Sequence, residues 1–218
     1  MLKKLSITFL IFIGLVIFAF AILFIWTRVT APKTDKKFLS QLKGEVVFTR
    51  RNAAGVSDIW KINADGTGEK ILYHNDLNPF KTDSRVPLWS NDGNKIYFIS
   101  FDKDKKEVIL EMDTDGKNVG IAKNPDRMPE DISRWSRVDD VIVRDGDMYI
   151  KKEEQEFRIF KHSGYYNQDY NLGSGAREVS WSPDKEYIIF EVEGFVTIID
   201  KSGRITKLAK GSMPDWKY

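Results

Sequence analysis

Beyond residue 43 the chain reads as a succession of short apolar and polar alternations. "EVVFTR" (45–50), "DIWKIN" (58–63), "KIYFIS" (95–100) and "EYIIFEV" (186–192) set Val, Ile, Phe, Tyr and Trp among polar neighbours, and Gly, Asp, Asn or Ser bound the runs. In an extended strand successive side chains point to opposite faces, so this pattern predicts strands that turn apolar positions to a core. β-Branched and aromatic side chains suit that pleated surface. No ten-residue stretch after residue 43 carries the 3.6-residue period of a helix. The body of the chain is predicted to be all-β.

The strands recur in a fixed order. Aligned on tryptophan, residues 86–90 read "VPLWS", 132–136 "ISRWS", 178–182 "EVSWS" and 213–217 "MPDWK", which places Trp89, Trp135, Trp181 and Trp216 at steps of 46, 46 and 35 residues. After Trp89 comes "SNDGNKIYFIS" and after Trp181 "SPDKEYIIFEV", while "SRVDDVIVRDG" after Trp135 is a weaker copy. "DIWKINADGTGEKILY" (58–73), "EVILEMDTDGKNVGIA" (107–122) and "FVTIIDKSGRITKLA" (195–209) then share the plan strand, Asp-Gly or Ser-Gly, strand. Gly tolerates the positive φ of tight turns, so these phrases predict hairpins. Four strands repeated every 35–46 residues are the signature of a β-propeller blade. One Trp at a fixed place in each repeat is expected to pack between neighbouring blades, each ring burying roughly 150–250 Å².

The phrase "P-x-W-S-x-D-G-x-x-I-x-F-x-S", followed by "I-x-x-x-x-x-D-G", resembles the blade repeat of the TolB-type propellers. The same repeat occurs in the propeller domains of prolyl-oligopeptidase and dipeptidyl-peptidase enzymes. Pro87, Trp89, Ser90, Asp92, Gly93, Ile96, Phe98 and Ser100 carry it, then Ile109, Asp115 and Gly116; Trp181, Ser182, Pro183 and Asp184 repeat part of it, as do Ile59, Asp65 and Gly66. The resemblance covers nearly all of the chain beyond residue 44. It speaks for a fold and not for an activity, because such blades serve unrelated proteins.

In that family the Trp strand is innermost and comes first in its blade. The unit at 44–73 has three strands and no Trp strand ahead of them, whereas the Trp strand at 211–216 has none after it. The resemblance therefore implies that the C-terminal strand pairs with the N-terminal three and closes a ring of about four blades, each of four antiparallel strands. An open half-ring completed by a second chain is the alternative. Most relatives have six blades, so four is a departure.

The segment ahead of the strands has a different pattern. Leu5–Trp26 is 22 residues without a charge, after Lys3 and Lys4. As a helix rising about 1.5 Å per residue it would cross a hydrocarbon core of roughly 30 Å, with Trp26 at headgroup level. "VTA" (29–31) mimics a cleavage site, but the apolar run exceeds a signal peptide's and Pro32 follows directly. The expected organisation is a tail (1–4), a transmembrane helix or signal anchor (5–27) contacting the lipid bilayer, a basic juxtamembrane linker (28–43) and the propeller (44–218). Arg28, Lys33, Lys36 and Lys37 would by the charge rule hold the propeller in the cytoplasm. The short dibasic tail instead resembles an export signal, and a single-pass membrane protein with an extracytoplasmic propeller is the expectation.

Charge follows the same division. Of 34 Lys+Arg and 32 Asp+Glu, residues 44–218 hold 27 and 31, a net of −4. The body is mildly acidic, which offers no basic face for nucleic acid. The absence of Cys excludes disulfides, thiol nucleophiles and Cys-ligated zinc.

Candidate chemistry is sparse. His74 and His162 are the only histidines, and neither an H-E-x-x-H zinc motif nor a G-x-S-x-G elbow occurs. Asp113, Asp115 and Gly116 fit part of a calcium loop but lack its terminal Glu, so a hairpin turn is expected and no metal. No catalytic residue and no cofactor is assigned, and the 218 residues leave no room for the hydrolase domain of the peptidases. One loop, "KHSGYYNQDYNLGSGAR" (161–177), mixes tyrosines with small polar residues, the composition of adaptable recognition surfaces. Tyr165, Tyr166, Asn167, Asp169 and Tyr170 are its candidate binding residues.

The expected function is a non-catalytic binding or scaffolding module of the cell envelope, with an envelope protein or glycan as partner. The alternatives are a carbohydrate-active hydrolase or lyase using channel carboxylates, and an incomplete propeller completed by another chain.

Overall fold

A computed structural model describes residues 9, 12–18, 33–75, 84–101, 104, 106–129, 140–162, 166–167, 172–173 and 175–217. From Thr34 onward the chain forms one compact unit, separate from residues 1–33. Among the described residues its strands make four larger antiparallel sheets and one small one.

Sheet I joins β1 (Glu45–Arg51), β2 (Ser57–Asn63), β3 (Lys70–Tyr73) and β17 (Ser212–Lys217) in the order β17-β1-β2-β3. Sheet II is β4 (Arg85–Trp89), β5 (Lys95–Phe101), β6 (Glu107–Asp113) and β7 (Gly120–Ile121), in chain order. Sheet III holds β8 (Val141–Arg144), β9 (Asp147–Lys152) and β10 (Gln155–Phe160). A short ladder pairs β11 (Tyr166–Asn167) with β12 (Leu172–Gly173). Sheet IV is β13 (Arg177–Trp181), β14 (Tyr187–Val192), β15 (Phe195–Asp200) and β16 (Ile205–Lys210).

In sheets I, II and IV the Trp-bearing strand stands at one edge and the others follow. Trp89 pairs with Ile96, Trp181 with Ile188, and Trp216 with Val46. The C-terminal strand thus completes the N-terminal sheet, with Glu45 opposite Lys217 and Thr49 opposite Ser212. Residues 131–139, which include the third tryptophan, Trp135, lie outside the described residues.

The sheets pack face to face in the order II, I, IV, III. Val47, Ile59 and Leu72 of sheet I meet Trp89, Ile96, Phe98 and Met112 of sheet II. Val46, Phe48, Ile62 and Trp216 of sheet I meet Ile189, Val196 and Ile198 of sheet IV. Val141, Met148 and Ile150 of sheet III meet Val179, Ile188 and Phe190 of sheet IV. Sheets I and IV are therefore covered on both faces, which is why "EVVF" and "YIIF" are continuous apolar runs rather than strict alternations. A short helix, α1 (Lys36–Leu39), adds Phe38 and Leu39 to the core between sheets I and IV, and Leu42 follows them. The Asp35 carboxylate caps it by accepting the Phe38 N–H at 3.0 Å.

Two repeated phrases have a common local cause. In the Trp-Ser-x-Asp turns the Ser90 hydroxyl donates to Asp92 at 2.6 Å and accepts the Lys95 N–H at 2.9 Å. The Ser182 hydroxyl does the same with Asp184 and the Tyr187 N–H, at 2.6 and 2.9 Å. The glycines of the Asp-Gly and Ser-Gly hairpins, Gly66, Gly116 and Gly203, have φ of +87°, +88° and +87°, a left-handed conformation that a side chain disfavours.

The N-terminal expectation is corrected. Within 5–27 the described helical residues are Phe9 and 12–18; seven helical residues rise only about 10 Å, a third of a hydrocarbon core. Among the described residues no helix is long and apolar enough to cross a membrane. Single-pass membrane localisation, and the extracytoplasmic placement that depended on it, are therefore not supported. The remainder of 5–27 lies outside the described residues.

Candidate functional site at the heads of the Trp strands

The three described Trp strands share an unusual backbone at one position. Val86, Glu178 and Met213, each three residues before its Trp, have φ of +53°, +54° and +54°. L-residues rarely adopt this region, and a β-branched one such as Val86 least of all; such a residue costs roughly 1–3 kcal/mol. The strain coincides with a register shift against the neighbouring strand, between Arg85 and Leu88, between Arg177 and Ser180, and opposite Val47 and Thr49. An extra residue at such a bulge re-aims the side chain.

These three positions converge. The Val86 N–H donates to the Met213 thioether at 3.2 Å, and the Met213 N–H donates to the Glu178 carboxylate at 2.5 Å. Strand heads from sheets II, I and IV therefore meet through one another.

Further along the same strands lies a buried ion pair. Asp215 is 1% exposed. Its Oδ2 accepts the Trp89 N–H at 2.9 Å and Arg127 Nη1 at 2.8 Å, while Oδ1 accepts Arg127 Nη2 at 3.2 Å. The same guanidinium donates to the Trp89 carbonyl at 3.0 Å. In sheet IV, Glu191 pairs with Arg177 at 2.6 Å and accepts the Gly194 N–H at 2.6 Å. Burial pushes the Glu191 carboxyl above its ordinary range despite Arg177.

Two connections lead into the heads. The first starts at His74 and Asn75, held by the buried Asp58 carboxylate: His74 Nδ1 lies 2.9 Å from one oxygen and the Asn75 N–H donates to the other at 2.9 Å. The second starts at His162, whose N–H donates to Asp147 at 2.7 Å, and whose ring is held below its ordinary pKa mainly by burial. It contains the β11–β12 ladder, with Tyr166 opposite Gly173 and Asn167 opposite Leu172.

Of the candidate recognition residues, the structure thus places Tyr166 and Asn167 on β11, in the connection that leads to Glu178. Tyr165, Asp169 and Tyr170 lie outside the described residues. Trp89 is 1% exposed, with Lys217 Nζ 4.1 Å from its ring centroid. Trp216 is buried and its indole donates to the Lys43 carbonyl at 3.0 Å; Trp181 is half-buried and donates to Asp140 at 2.8 Å. Among the described residues no cluster of three His, Cys, Asp or Glu is placed to hold a metal ion.

Sequence reasoning did not single out Val86, Glu178, Met213, Asp215 or Arg127. The first three share a repeat position but not a residue type, so only the alignment on Trp could have marked them. Arg127 lies outside the repeat altogether.

No known family profile matches the chain, and neither does any curated protein. Among solved structures it is similar to TolB from Acinetobacter baumannii, at 16% identity and a TM-score of 0.34, over 85% of this chain and 56% of that one. A structure described as TolB from Agrobacterium tumefaciens is similar at 16% identity and a TM-score of 0.31, over 78% of this chain and 64% of that one. An acylaminoacyl peptidase from Pyrococcus horikoshii follows at 18% identity and 0.26, over 83% and 35%. The chain spans less than two thirds of each of these proteins. At such scores the propeller-like assignment rests on the sheet order and register above.

Proposed function

We propose that this chain is a TolB-like propeller of the cell envelope that binds a partner without catalysis, at the heads of its Trp strands. Its sheets stack in the order II, I, IV, III, with Trp89, Trp216 and Trp181 each packed between two neighbours, and among the described residues they do not close into the expected ring. Tyr165, Tyr166, Asn167, Asp169 and Tyr170 sit on the connection that enters this face and contact the partner, a protein segment or a glycan.

The observation that carries the reading is the convergence of Val86, Glu178 and Met213 in a strained backbone. Strain of this kind persists where the surrounding structure over-determines it, and it clusters at functional sites. The nearby carboxylates favour binding over hydrolysis: Asp215 is bound by Arg127 and the Trp89 N–H, and Glu178 accepts the Met213 N–H. A general acid needs a proton to give, and a general base an unoccupied lone pair, in reach of a substrate.

A photo-crosslinking amino acid at Tyr166 tests the proposal, with Glu153 in the β9–β10 turn as control. One partner captured from native cells at 166 and not at 153, and lost in Glu178→Ala, is the expected result. Equal capture at both positions, or cleavage of a glycan by the purified protein, would overturn it.

A further inference from the structure

A cleft away from the strand heads lies beside β5, β6 and β7. It has a volume of about 500 Å³, and its lining includes Asp92, Tyr97, Ile121, Lys123, Asn124 and Asp126. That size falls within the roughly 300–1,000 Å³ of small-molecule sites.

Its floor and rim alternate donors with acceptors. Tyr97 is only 5% exposed. Burial holds its phenol above the ordinary pKa, so the hydroxyl keeps a proton to donate. Asp126 accepts the Asn91 N–H at 3.0 Å through one carboxylate oxygen. Asp92 receives the Ser90 hydroxyl and the Asn94 N–H, at 2.6 and 2.9 Å, which keep it ionised as an acceptor. Lys123 and Asn124 stand exposed at the rim as donors. Lys95 and Glu111, 2.5 Å apart, neutralise one another in the wall. Ile121, 67% exposed, is the one aliphatic side chain among the described residues of the lining.

This set of groups selects among ligand classes. A lipid or aromatic ligand needs apolar walls, which a single Ile does not provide. A phosphate or carboxylate ligand would face the carboxylates of Asp92 and Asp126. No metal-holding cluster occurs among the described residues. Vicinal hydroxyls, each a donor and an acceptor at once, match alternating carboxylates, amide, ammonium and phenol. The C–H face of a pyranose ring would rest on Ile121. We infer that the cleft is a binding site for a neutral saccharide of one or two rings. It does not depend on the strand-head site, so either can fail alone.

Titration of the isotope-labelled chain with cellobiose, maltose and N,N′-diacetylchitobiose, followed by amide NMR shifts, tests the inference. The expected result is saturable shifts confined to residues around Tyr97 and 121–126, for at least one sugar. Asn124→Ala and Asp126→Asn should each weaken that binding about tenfold, as loss of a charged or bidentate hydrogen bond does. An unchanged spectrum elsewhere in each variant would show that the fold is kept. Absence of saturable shifts, shifts spread over other sheets, or unweakened binding in both variants would overturn the site. So would shifts produced by calcium ions alone and not by sugar.

Discussion

Asp215 and Trp89 lie 126 residues apart in sequence, yet the buried carboxylate of one accepts the backbone N–H of the other at 2.9 Å. Arg127 completes the arrangement by donating to that same carboxylate and to the Trp89 carbonyl. The C-terminal strand of sheet I is thereby tied to the leading strand of sheet II and to the segment after β7. Asp215→Ala leaves the buried Trp89 N–H without an acceptor and the Arg127 guanidinium without its counter-charge, and should cost about 3–5 kcal/mol. Asp215→Asn, which keeps an acceptor, should cost less. Urea unfolding of the two variants gives the comparison, and equal losses would refute the role of the charge.

Trp216 fastens β17 from its other face, among Phe38, Ile189, Val196 and Ile198. Trp216→Ala should lower stability by about 3–5 kcal/mol, the usual range for a large aromatic removed from a core. Deleting Met213–Tyr218 should be worse, since it also exposes the β1 edge. A truncated chain with an unchanged melting temperature would refute the pairing of β17 with β1.

Gly66 and Gly116 share a left-handed φ and a turn type, but not their surroundings. A Cβ at Gly116 would lie 2.4 Å from the Leu72 carbonyl oxygen, in sheet I, whereas at Gly66 it would meet only Leu39 Cδ1 at 3.3 Å. The backbone strain of an Ala is roughly 1–3 kcal/mol at either site. Gly116→Ala should therefore cost clearly more than Gly66→Ala in thermal melts, because rigid backbone cannot give way as a leucine methyl can.

Asp92 is pulled down to about 2 from an ordinary 3.8, chiefly by the Ser90 hydroxyl. A depressed carboxylate stabilises the fold above the unfolded value, so that stabilisation is present above about pH 4 and is lost as pH falls toward about 2. Ser90→Ala should flatten this part of the acid profile. Melting temperatures from about pH 5 to about pH 2 would show it, and an identical profile in the variant would refute the assignment.

Val86 is the most strained of the three strand-head residues. Val86→Gly should be neutral or stabilising by about 1 kcal/mol, since Gly adopts this φ without penalty. Partner capture at residue 166 should fall in the same variant if the strained backbone serves binding.

The blades were legible because their phrases are local. Ser90 and Asp92, or Ser182 and Asp184, make hydrogen bonds two to five residues along the chain, so Trp-Ser-x-Asp could be read directly as a turn. The pairing of β17 with β1 was legible too, because two incomplete units had complementary missing parts. The strand heads were not, since Val86, Glu178 and Met213 have nothing in common as side chains and owe their likeness to backbone geometry. The cleft beside β5 was equally hidden, being assembled from a turn, three strands and a linker. At the N-terminus, uninterrupted hydropathy suggested a membrane-spanning helix, whereas the described helical stretch is too short to cross a bilayer.

The bond between Thr49 and Ser212 spans 163 residues. A ribosome adds roughly 5–20 residues per second, so β1, β2 and β3 leave it roughly 8–30 s before the strand that completes their sheet. For that interval the apolar face formed by Val46 and Phe48 waits without Trp216, and the edge of β1 stays open to other chains. Synthesis speed, and whatever shields that edge meanwhile, therefore bear on the yield of folded protein as directly as its stability does.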